Sequence, residues 1–161
     1  MKLKLLCVFI LLVCPTFGMG GFVLDNEKSH SLDVSTCVCV NVYQDGVKQT
    51  LDKVAAFKVQ NAFGQILSMS REMPAFGVAL HDETLEAMQS GLWLEFEFDG
   101  AIVHNGMFFE KLLFKLEKNV YGFNIVRYFQ GKYDGRCFYF DLENPELIDD
   151  LYEFIDNIGN Y

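Results

Sequence analysis

The residues whose types are best suited to covalent catalysis are Cys137, His81 and His104. A cysteine becomes a nucleophile when a nearby base or cation stabilises its thiolate, and Arg136 directly precedes Cys137. Either histidine would supply the base if the fold brought it to the thiol. A cross-strand salt bridge explains Arg136 equally well, and no recognised nucleophile motif surrounds Cys137. These residues define an alternative hypothesis, a small exported enzyme.

Cys137 is also a candidate member of a disulfide. The chain has five cysteines, of which Cys37, Cys39 and Cys137 follow the first twenty residues. On a strand, Cys37 and Cys39 would face the same side about 6 to 7 Å apart, which is too far for a relaxed bridge between them. We therefore expect either a disulfide joining Cys137 to Cys37 or Cys39, or buried and inert thiols.

The cysteines do not predict a metal site. Paired ligands of structural zinc sites usually have about two to four intervening residues. Cys37 and Cys39 have one intervening residue, and a second pair is missing from the sequence. No metal and no cofactor is predicted, because a glycine-rich phosphate loop followed by a helix is also missing.

A second group of candidate residues is the carboxylate series Glu95, Glu97 and Asp99, which would lie on one face of a strand. Hard cations such as calcium accept such ligands, but the loop signature of an EF-hand is absent. The simpler interpretation is a solvated sheet face with cross-strand partners such as Lys115 or Arg127. Glu95 and Glu97 are kept as candidate binding residues.

The most acidic part of the chain is residues 141–161, with seven carboxylates and no lysine or arginine. Several of these lie at i,i+3 or i,i+4 spacing, and each such pair repels by about 0.2 to 0.5 kcal/mol. Basic residues in the preceding strands could neutralise them internally. Alternatively, Asp149, Asp150 and Glu153 bind a basic partner protein, as in acidic inhibitors and immunity proteins.

The overall charge limits the class of partner. The chain has 13 basic and 22 acidic side chains, a net charge of −9. Without residues 1–20, which contain Lys2 and Lys4, the balance is 11 basic against 22 acidic, or −11. Nucleic acid is excluded as a partner because phosphate binding needs a clustered basic surface. A basic protein fits better.

The N-terminus predicts export. Lys2 and Lys4 precede an uncharged run over residues 5–24 with a densely apolar centre, which is typical of a secretory signal peptide. We predict cleavage between about residues 18 and 21, and a secreted or cell-envelope protein. Two alternatives are an uncleaved membrane anchor formed by residues 5–24 and a misassigned start codon.

The mature part, residues 21–161, is predicted to be one α+β domain. Apolar periodicity predicts a strand over 36–43, a long helix over 50–71, a short helix capped by Asp82 and ended by Gly91, and a strand over 92–100. Three further strands are predicted near 107–118, 120–129 and 135–142. Asn144 and Pro145 then begin an amphipathic C-terminal helix.

This order predicts an antiparallel sheet of about four to six strands with the helices packed on one face. A small acidic domain without a convincing set of catalytic residues is more typical of a binding protein than of an enzyme. The function expected from the sequence is therefore an exported binding or inhibitory module. The enzyme hypothesis built on Cys137 is the alternative.

Overall fold

The chain folds as an α+β protein with three helices and an antiparallel sheet, seen in a computed structural model that describes residues 32–75 and 77–159. The fold class predicted from the sequence is thereby confirmed. The predicted signal peptide, and the alternative anchor in residues 5–24, lie outside the described residues. Within the described ranges, no helix is both long and apolar enough to span a bilayer.

The elements follow the chain in the order β1 (Cys39–Gln44), β2 (Val47–Thr50), α1 (Lys53–Met69), β3 (Ser70–Met73), β4 (Val78–Ala79), α2 (His81–Ala87), β5 (Leu92–His104), β6 (Met107–Leu116), β7 (Gly122–Phe129), β8 (Lys132–Tyr133), β9 (Gly135–Arg136), β10 (Phe138–Leu142) and α3 (Glu146–Gly159). The main sheet has eight strands in the order β2-β1-β5-β6-β7-β10-β3, with β8 added to β7. Strands β4 and β9 form a separate pair.

The sheet has more strands than the predicted four to six, because the additional strands are too short to leave a recognisable pattern in the sequence. Strands β2 and β3 have four residues each and occupy the two edges, and β8 has two. Every residue of β2 is exposed, so it carries no alternation of apolar and polar side chains. Such edge strands are held by backbone pairing and leave little hydrophobic signal in the sequence.

The main core lies between one face of the sheet and helices α1 and α3. Phe63 of α1 is fully buried, and its ring centroid lies 4.8 Å from that of Phe96 and 4.9 Å from that of Phe114. Ile148 and Leu151 supply the buried side of α3. The apolar face predicted for the amphipathic C-terminal helix is therefore the face that it packs into the main core.

Side-chain caps define two of the helices. Asp52 Oδ1 accepts hydrogen bonds of 2.8 Å from the backbone N–H groups of Val54 and Ala55 at the start of α1. Asn144 Oδ1 accepts a 3.0 Å hydrogen bond from the N–H of Glu146, which confirms the predicted start of α3. The predicted cap of α2 is wrong. Its N-cap is Leu80, whose apolar side chain cannot accept a hydrogen bond, and Asp82 lies within the first turn of the helix.

The other face of the sheet is also covered, contrary to the prediction that all helices share one face. Met88, which follows α2, packs with Trp93, Leu113 and Tyr133 in a second and smaller core. Trp93 is only 7% exposed, although it alternates with the core-facing residues of β5. The side chains that alternate along β5 therefore point to two covered faces of the sheet, and not to one covered face and one solvent-exposed face.

The hairpin of β5 and β6 turns at Asn105-Gly106, both with positive φ, as a two-residue hairpin turn requires. Its register shifts between Glu97 and Ile102, which marks a bulge. His104 at the end of β5 reaches Glu72 on edge strand β3, with Nε2 2.8 Å from Oε2. Three strands separate β5 from β3 in the sheet order, so the sheet must curve for this contact to form.

The predicted disulfide is absent, since Cys37, Cys39 and Cys137 are all free thiols. Cys39 begins β1, Cys37 lies just before it, and Cys137 directly precedes β10. The sheet places β5, β6 and β7 between β1 and β10. Cys137 and the two N-terminal cysteines therefore lie at strands that are not neighbours, and Cys37 Sγ accepts a 2.8 Å hydrogen bond from Gln60 Nε2 instead.

Candidate functional site

The most unusual residue of the sheet is Glu95, which lies on β5 between β1 and β6 and is 1% exposed. Alternation along β5 turns Leu94 and Phe96 toward the main core and Glu95 toward the second face. A carboxylate is almost never buried to this extent unless charged or hydrogen-bonding partners surround it. The expectation that Glu95 lies on a solvated face is therefore wrong.

Both carboxylate oxygens of Glu95 are hydrogen-bonded. Tyr133 donates its hydroxyl hydrogen to Oε2. Oε1 accepts from Asn41 Nδ2 at 2.9 Å, from the hydroxyl of Tyr43 at 3.2 Å and from Lys48 Nζ at 3.3 Å. We call these five residues, Glu95 with Tyr133, Asn41, Tyr43 and Lys48, the Glu95 network. The network compensates the loss of hydration that burial imposes on the carboxylate.

A second lysine balances the charge of the site. Lys111 Nζ lies 3.0 Å from Glu97 Oε2 and 3.8 Å from Glu95 Oε1. Glu97 is the cross-strand neighbour of Lys111 on β5. Two carboxylates thus face two ammonium groups, Lys48 and Lys111, so the charged groups at this part of the sheet carry no net charge. The cross-strand partner of Glu97 is Lys111, not the predicted Lys115 or Arg127.

The sequence positions these side chains through one hairpin and three neighbouring strands. Asp45 and Gly46 adopt positive φ angles and turn β1 directly into β2. The turn places Lys48 opposite Tyr43 and Thr50 opposite Asn41 in the antiparallel register. Each pair lies on the same face of the sheet because cross-strand neighbours share their orientation.

The amide of Asn41 is fixed from its other end. Its Oδ1 accepts a 2.7 Å hydrogen bond from Thr50 Oγ1 and a 3.4 Å contact from Cys39 Sγ. These donors require Oδ1 to point away from Glu95, so Nδ2 is the group that faces the carboxylate. Asn41 therefore acts as an oriented donor within the Glu95 network.

The protonation states follow from these contacts. Burial by itself would raise the pKa of Glu95, because the charged form loses its hydration. The hydrogen bond from Tyr133, followed by the charges of Lys111 and Lys48, outweighs burial, and the pKa of Glu95 is lowered. Glu95 is therefore a carboxylate at neutral pH, and it is a weak proton acceptor.

The pKa values of the neighbouring groups shift in the opposite direction. Burial and the negative charge of Glu95 raise the pKa of both Tyr133 and Tyr43. Burial would lower the pKa of Lys48, but the charge of Glu95 outweighs it and the pKa is raised. The two tyrosines stay neutral donors and the lysine stays charged, so the network keeps one protonation state at neutral pH.

A cavity of about 270 Å³ opens above the Glu95 network. Its walls come from the β1–β2 turn, from the end of α2, and from β7 and β8. The residues lining it are Tyr43, Gly46, Leu85, Met88, Gln89, Glu95, Lys111, Tyr128 and Tyr133. The rings of Tyr128 and Tyr133 meet edge to face with centroids 4.9 Å apart.

His81 at the start of α2 helps to hold Tyr133. The backbone N–H of Tyr133 donates to His81 Nδ1 at 3.1 Å, and the two rings lie nearly parallel with centroids 6.1 Å apart. The Nδ1 atom is therefore an acceptor in this contact. His81 therefore links the start of α2 to β8, and we find no hydrogen bond from it to Cys137 among residues 32–75 and 77–159.

The other members of the proposed catalytic set are also separately engaged. His104 contacts Glu72, whose Oε1 accepts a 2.6 Å hydrogen bond from Asn105 Nδ2. Cys137 is buried, and burial raises the pKa of its thiol despite the opposing charge of Arg127. A reactive cysteine needs a lowered pKa, so the environment of Cys137 favours an inert thiol.

The acidic residues of α3 lie on the opposite side of the molecule from the Glu95 network, because α3 packs on the other sheet face. Glu153 pairs with Lys118, and Asp149 Oδ1 accepts a 2.8 Å hydrogen bond from the N–H of Asn119. Asp150 is exposed. Among the basic residues that precede α3 in the described part of the chain, Lys118 is the only one for which we find an ion pair to this helix.

A groove of about 310 Å³ runs between α1 and α3 beside these carboxylates. Its lining residues are Lys58, Ala62, Gln65, Leu147, Asp150, Leu151 and Phe154. Lys58 Nζ lies 5.8 Å from the centroid of the Phe154 ring. The floor of the groove is therefore largely apolar and its margin carries both signs of charge.

The predicted site residues thus occupy two faces. Glu95 and Glu97 lie on the second sheet face, whereas Asp149, Asp150 and Glu153 lie on α3. No cluster of three or more histidine, cysteine or carboxylate ligands occurs in the ranges 32–75 and 77–159. No family model, no curated protein and no solved structure matches the chain.

Proposed function

We propose that this protein is an exported, non-catalytic binding module that acts through contact with a basic partner protein. The observation that carries the proposal is the α1–α3 surface, where an apolar groove and a row of carboxylates lie side by side. Protein interfaces combine these two features, with an apolar centre for affinity and a polar margin for orientation.

The acidic part of this surface is the outer face of α3. The helix carries five carboxylates, and no lysine or arginine lies within it. Glu146, Asp150 and Glu153 are exposed, and only Glu153 of these three makes an ion pair that we find among the described residues. A helix face that carries only negative charges attracts a cationic surface and accelerates its association.

The apolar part of this surface is the groove itself, where Leu147 and Phe154 are partly exposed. Helix α1 carries two further exposed apolar side chains, Phe57 (63% exposed) and Val54 (68% exposed), which lie one helical turn apart. Large apolar side chains that stay in solvent next to a charged margin are typical of contact surfaces.

The acidic surface is tested by neutralising its carboxylates in Asp149→Asn, Asp150→Asn and Glu153→Gln together. The matched control neutralises three exposed carboxylates of α2, Asp82→Asn, Glu83→Gln and Glu86→Gln, and changes the net charge equally. The partner is first identified by photo-crosslinking from Asn157 on the outer side of α3. Its association rate is then measured by surface plasmon resonance over a series of salt concentrations.

We expect the α3 variant to associate more slowly and with a flatter salt dependence, and the α2 variant to behave as the parent protein does. Equal losses in both variants would indicate that net charge alone is responsible. An unchanged rate in the α3 variant would exclude α3 as the binding surface.

Export is the second part of the proposal, and it rests on the N-terminal sequence. The test is the intact mass of the protein recovered from the extracellular or envelope fraction. A chain that lacks about twenty residues supports cleavage by a signal peptidase. A full-length chain would favour an uncleaved anchor in residues 5–24.

A further inference from the structure

The cavity above the Glu95 network has the composition of a small-molecule site, and it lies on the sheet face opposite the α1–α3 groove. Its volume of about 270 Å³ is close to the lower end of the ~300–1,000 Å³ range of ligand pockets, so it suits a single ring. The apolar part of its wall consists of Leu85, Met88 and the rings of Tyr43, Tyr128 and Tyr133.

The charges of the cavity are already balanced by the protein itself. Lys48 Nζ lies 5.5 Å from the ring centroid of Tyr43, and Lys111 Nζ lies 5.3 Å from that of Tyr128. A cationic ligand would meet these two ammonium groups at the rings that it would otherwise stack upon. An anionic ligand would meet the carboxylate of Glu95. The site therefore favours a neutral ligand.

The polar groups of the cavity suit hydroxyl groups. Gln89 Nε2 donates weakly to the carbonyl of Leu85 at 3.3 Å, and Gln89 Oε1 faces Gly46. Glycine at position 46 makes room for the Gln89 amide in this wall, because a Cβ there would lie 2.7 Å from Oε1. The Gln89 amide and the Tyr128 hydroxyl can each donate to or accept from a ligand hydroxyl, and the Lys111 ammonium can donate to one.

We propose that this cavity binds one neutral, polyhydroxylated ring of monosaccharide size. The C–H face of such a ring packs against tyrosine and Leu85, and its hydroxyl groups bond to Gln89, Lys111 and Tyr128. This combination of aromatic wall and convergent polar groups matches a ligand that has one apolar face and polar edges. The site is independent of the α1–α3 surface, so either proposal stands without the other.

The test is a titration of the protein with the methyl pyranosides of glucose, galactose, mannose and N-acetylglucosamine. Choline and benzoate serve as cationic and anionic probes of similar size. Saturation-transfer NMR detects the bound ring, and the fluorescence of Trp93, the only tryptophan of the chain, reports on the neighbouring cluster with Met88 and Tyr133. We expect at least one pyranoside to bind more tightly than choline and benzoate.

Two variants locate the binding site. Tyr128→Ala should weaken pyranoside binding roughly three- to tenfold through the lost ring contact. Leu85→Arg, at a position that is 41% exposed and tolerant of a polar side chain, should weaken it by placing a charge at the rim. Tyr121→Ala, at an exposed tyrosine outside the cavity, is the control and should leave binding unchanged.

Three results would overturn the proposal. The first is that no pyranoside binds up to its limit of solubility. The second is that choline or benzoate binds more tightly than every pyranoside. The third is that both Tyr128→Ala and Leu85→Arg bind pyranosides as the parent protein does, which would place the ligand elsewhere.

Discussion

Tyr133 donates its hydroxyl hydrogen to Oε2 of Glu95, although the two residues are 38 positions apart and lie on strands β8 and β5, which are not neighbours in the sheet. Tyr133 is 5% exposed and Glu95 is 1% exposed. The bond therefore ties β8 to β5 across the second face of the sheet, where Tyr133 also packs with Leu113. A buried pair of this kind favours one arrangement of the strands, because any other leaves Glu95 without its donors.

Removal of the Tyr133 hydroxyl should destabilise the fold measurably. Tyr133→Phe keeps the ring packing against Tyr128 and leaves Glu95 Oε2 buried without that donor. We expect the free energy of unfolding in urea to fall by about 1 to 3 kcal/mol. Tyr121→Phe, at a tyrosine that is 65% exposed, is the control and should change it little. Equal stability of the two variants would show that the hydroxyl contributes nothing.

The ionised Glu95 should also make stability depend on pH. The pKa of Glu95 is lower in the folded state than its ordinary value of 4.5. A lowered pKa adds stability above the unfolded-state value, and that stability is lost as the pH falls through the folded-state pKa. Glu95→Gln should therefore be less stable than the parent protein at pH 7, and the difference should shrink below about pH 4.5.

The measurement is urea unfolding of both proteins at several pH values between neutrality and the onset of acid denaturation. Glu97→Gln is the control, because Glu97 is much more exposed and makes a single pair with Lys111. A difference between Glu95→Gln and the parent protein that stays constant over the whole pH range would contradict an ionised, hydrogen-bonded Glu95.

The helices and the long strands were predictable from the sequence, because their apolar residues recur with a clear helical or strand period. Helix α3 and strand β5 were both predicted this way. The hairpin of β1 and β2 was missed, although Asp45-Gly46 is a strong hairpin signal, because β2 is short and wholly exposed. The apolar pattern accordingly predicts no element between the strand over 36–43 and the helix over 50–71.

The Glu95 network was beyond prediction for a related reason. Glu95, Glu97 and Asp99 alternate in the sequence as a solvated face would, and nothing local distinguishes Glu95 from the other two. Its burial depends on β8 and α2, which are far away in the chain and cover only part of the face. The donors Asn41 and Tyr43 lie two residues apart on a strand and therefore share a face, but their target on β5 follows only from the register.

The three described cysteines should behave as free thiols with different reactivities. Cys37 and Cys137 are buried, and burial raises the pKa of each thiol. Cys39 is half-exposed. We expect iodoacetamide to modify Cys39 first in the native protein, and all three after unfolding. Peptide mass spectrometry identifies the modified residue, and an intact mass that changes on reduction would contradict the free-thiol state.

Gly46 should be one of the residues least tolerant of substitution on the sheet face that carries the Glu95 network. Its φ of +82° favours glycine, and a Cβ there would lie 2.7 Å from Gln89 Oε1. We expect Gly46→Ala to lower the free energy of unfolding by about 1 to 2 kcal/mol, because an L-residue is strained in this conformation. Displacement of Gln89 would also alter the wall of the tyrosine-lined cavity.

Gly64 provides the matched comparison, because it lies within α1 and a Cβ there would meet nothing within 4 Å. Gly64→Ala should raise the free energy of unfolding by about 0.5 to 1 kcal/mol, since alanine restricts the unfolded chain and favours the helix. The two substitutions add the same methyl group and should have opposite signs in urea unfolding. If both stabilised the protein, the tight turn at Asp45-Gly46 and its contact with Gln89 would be wrong.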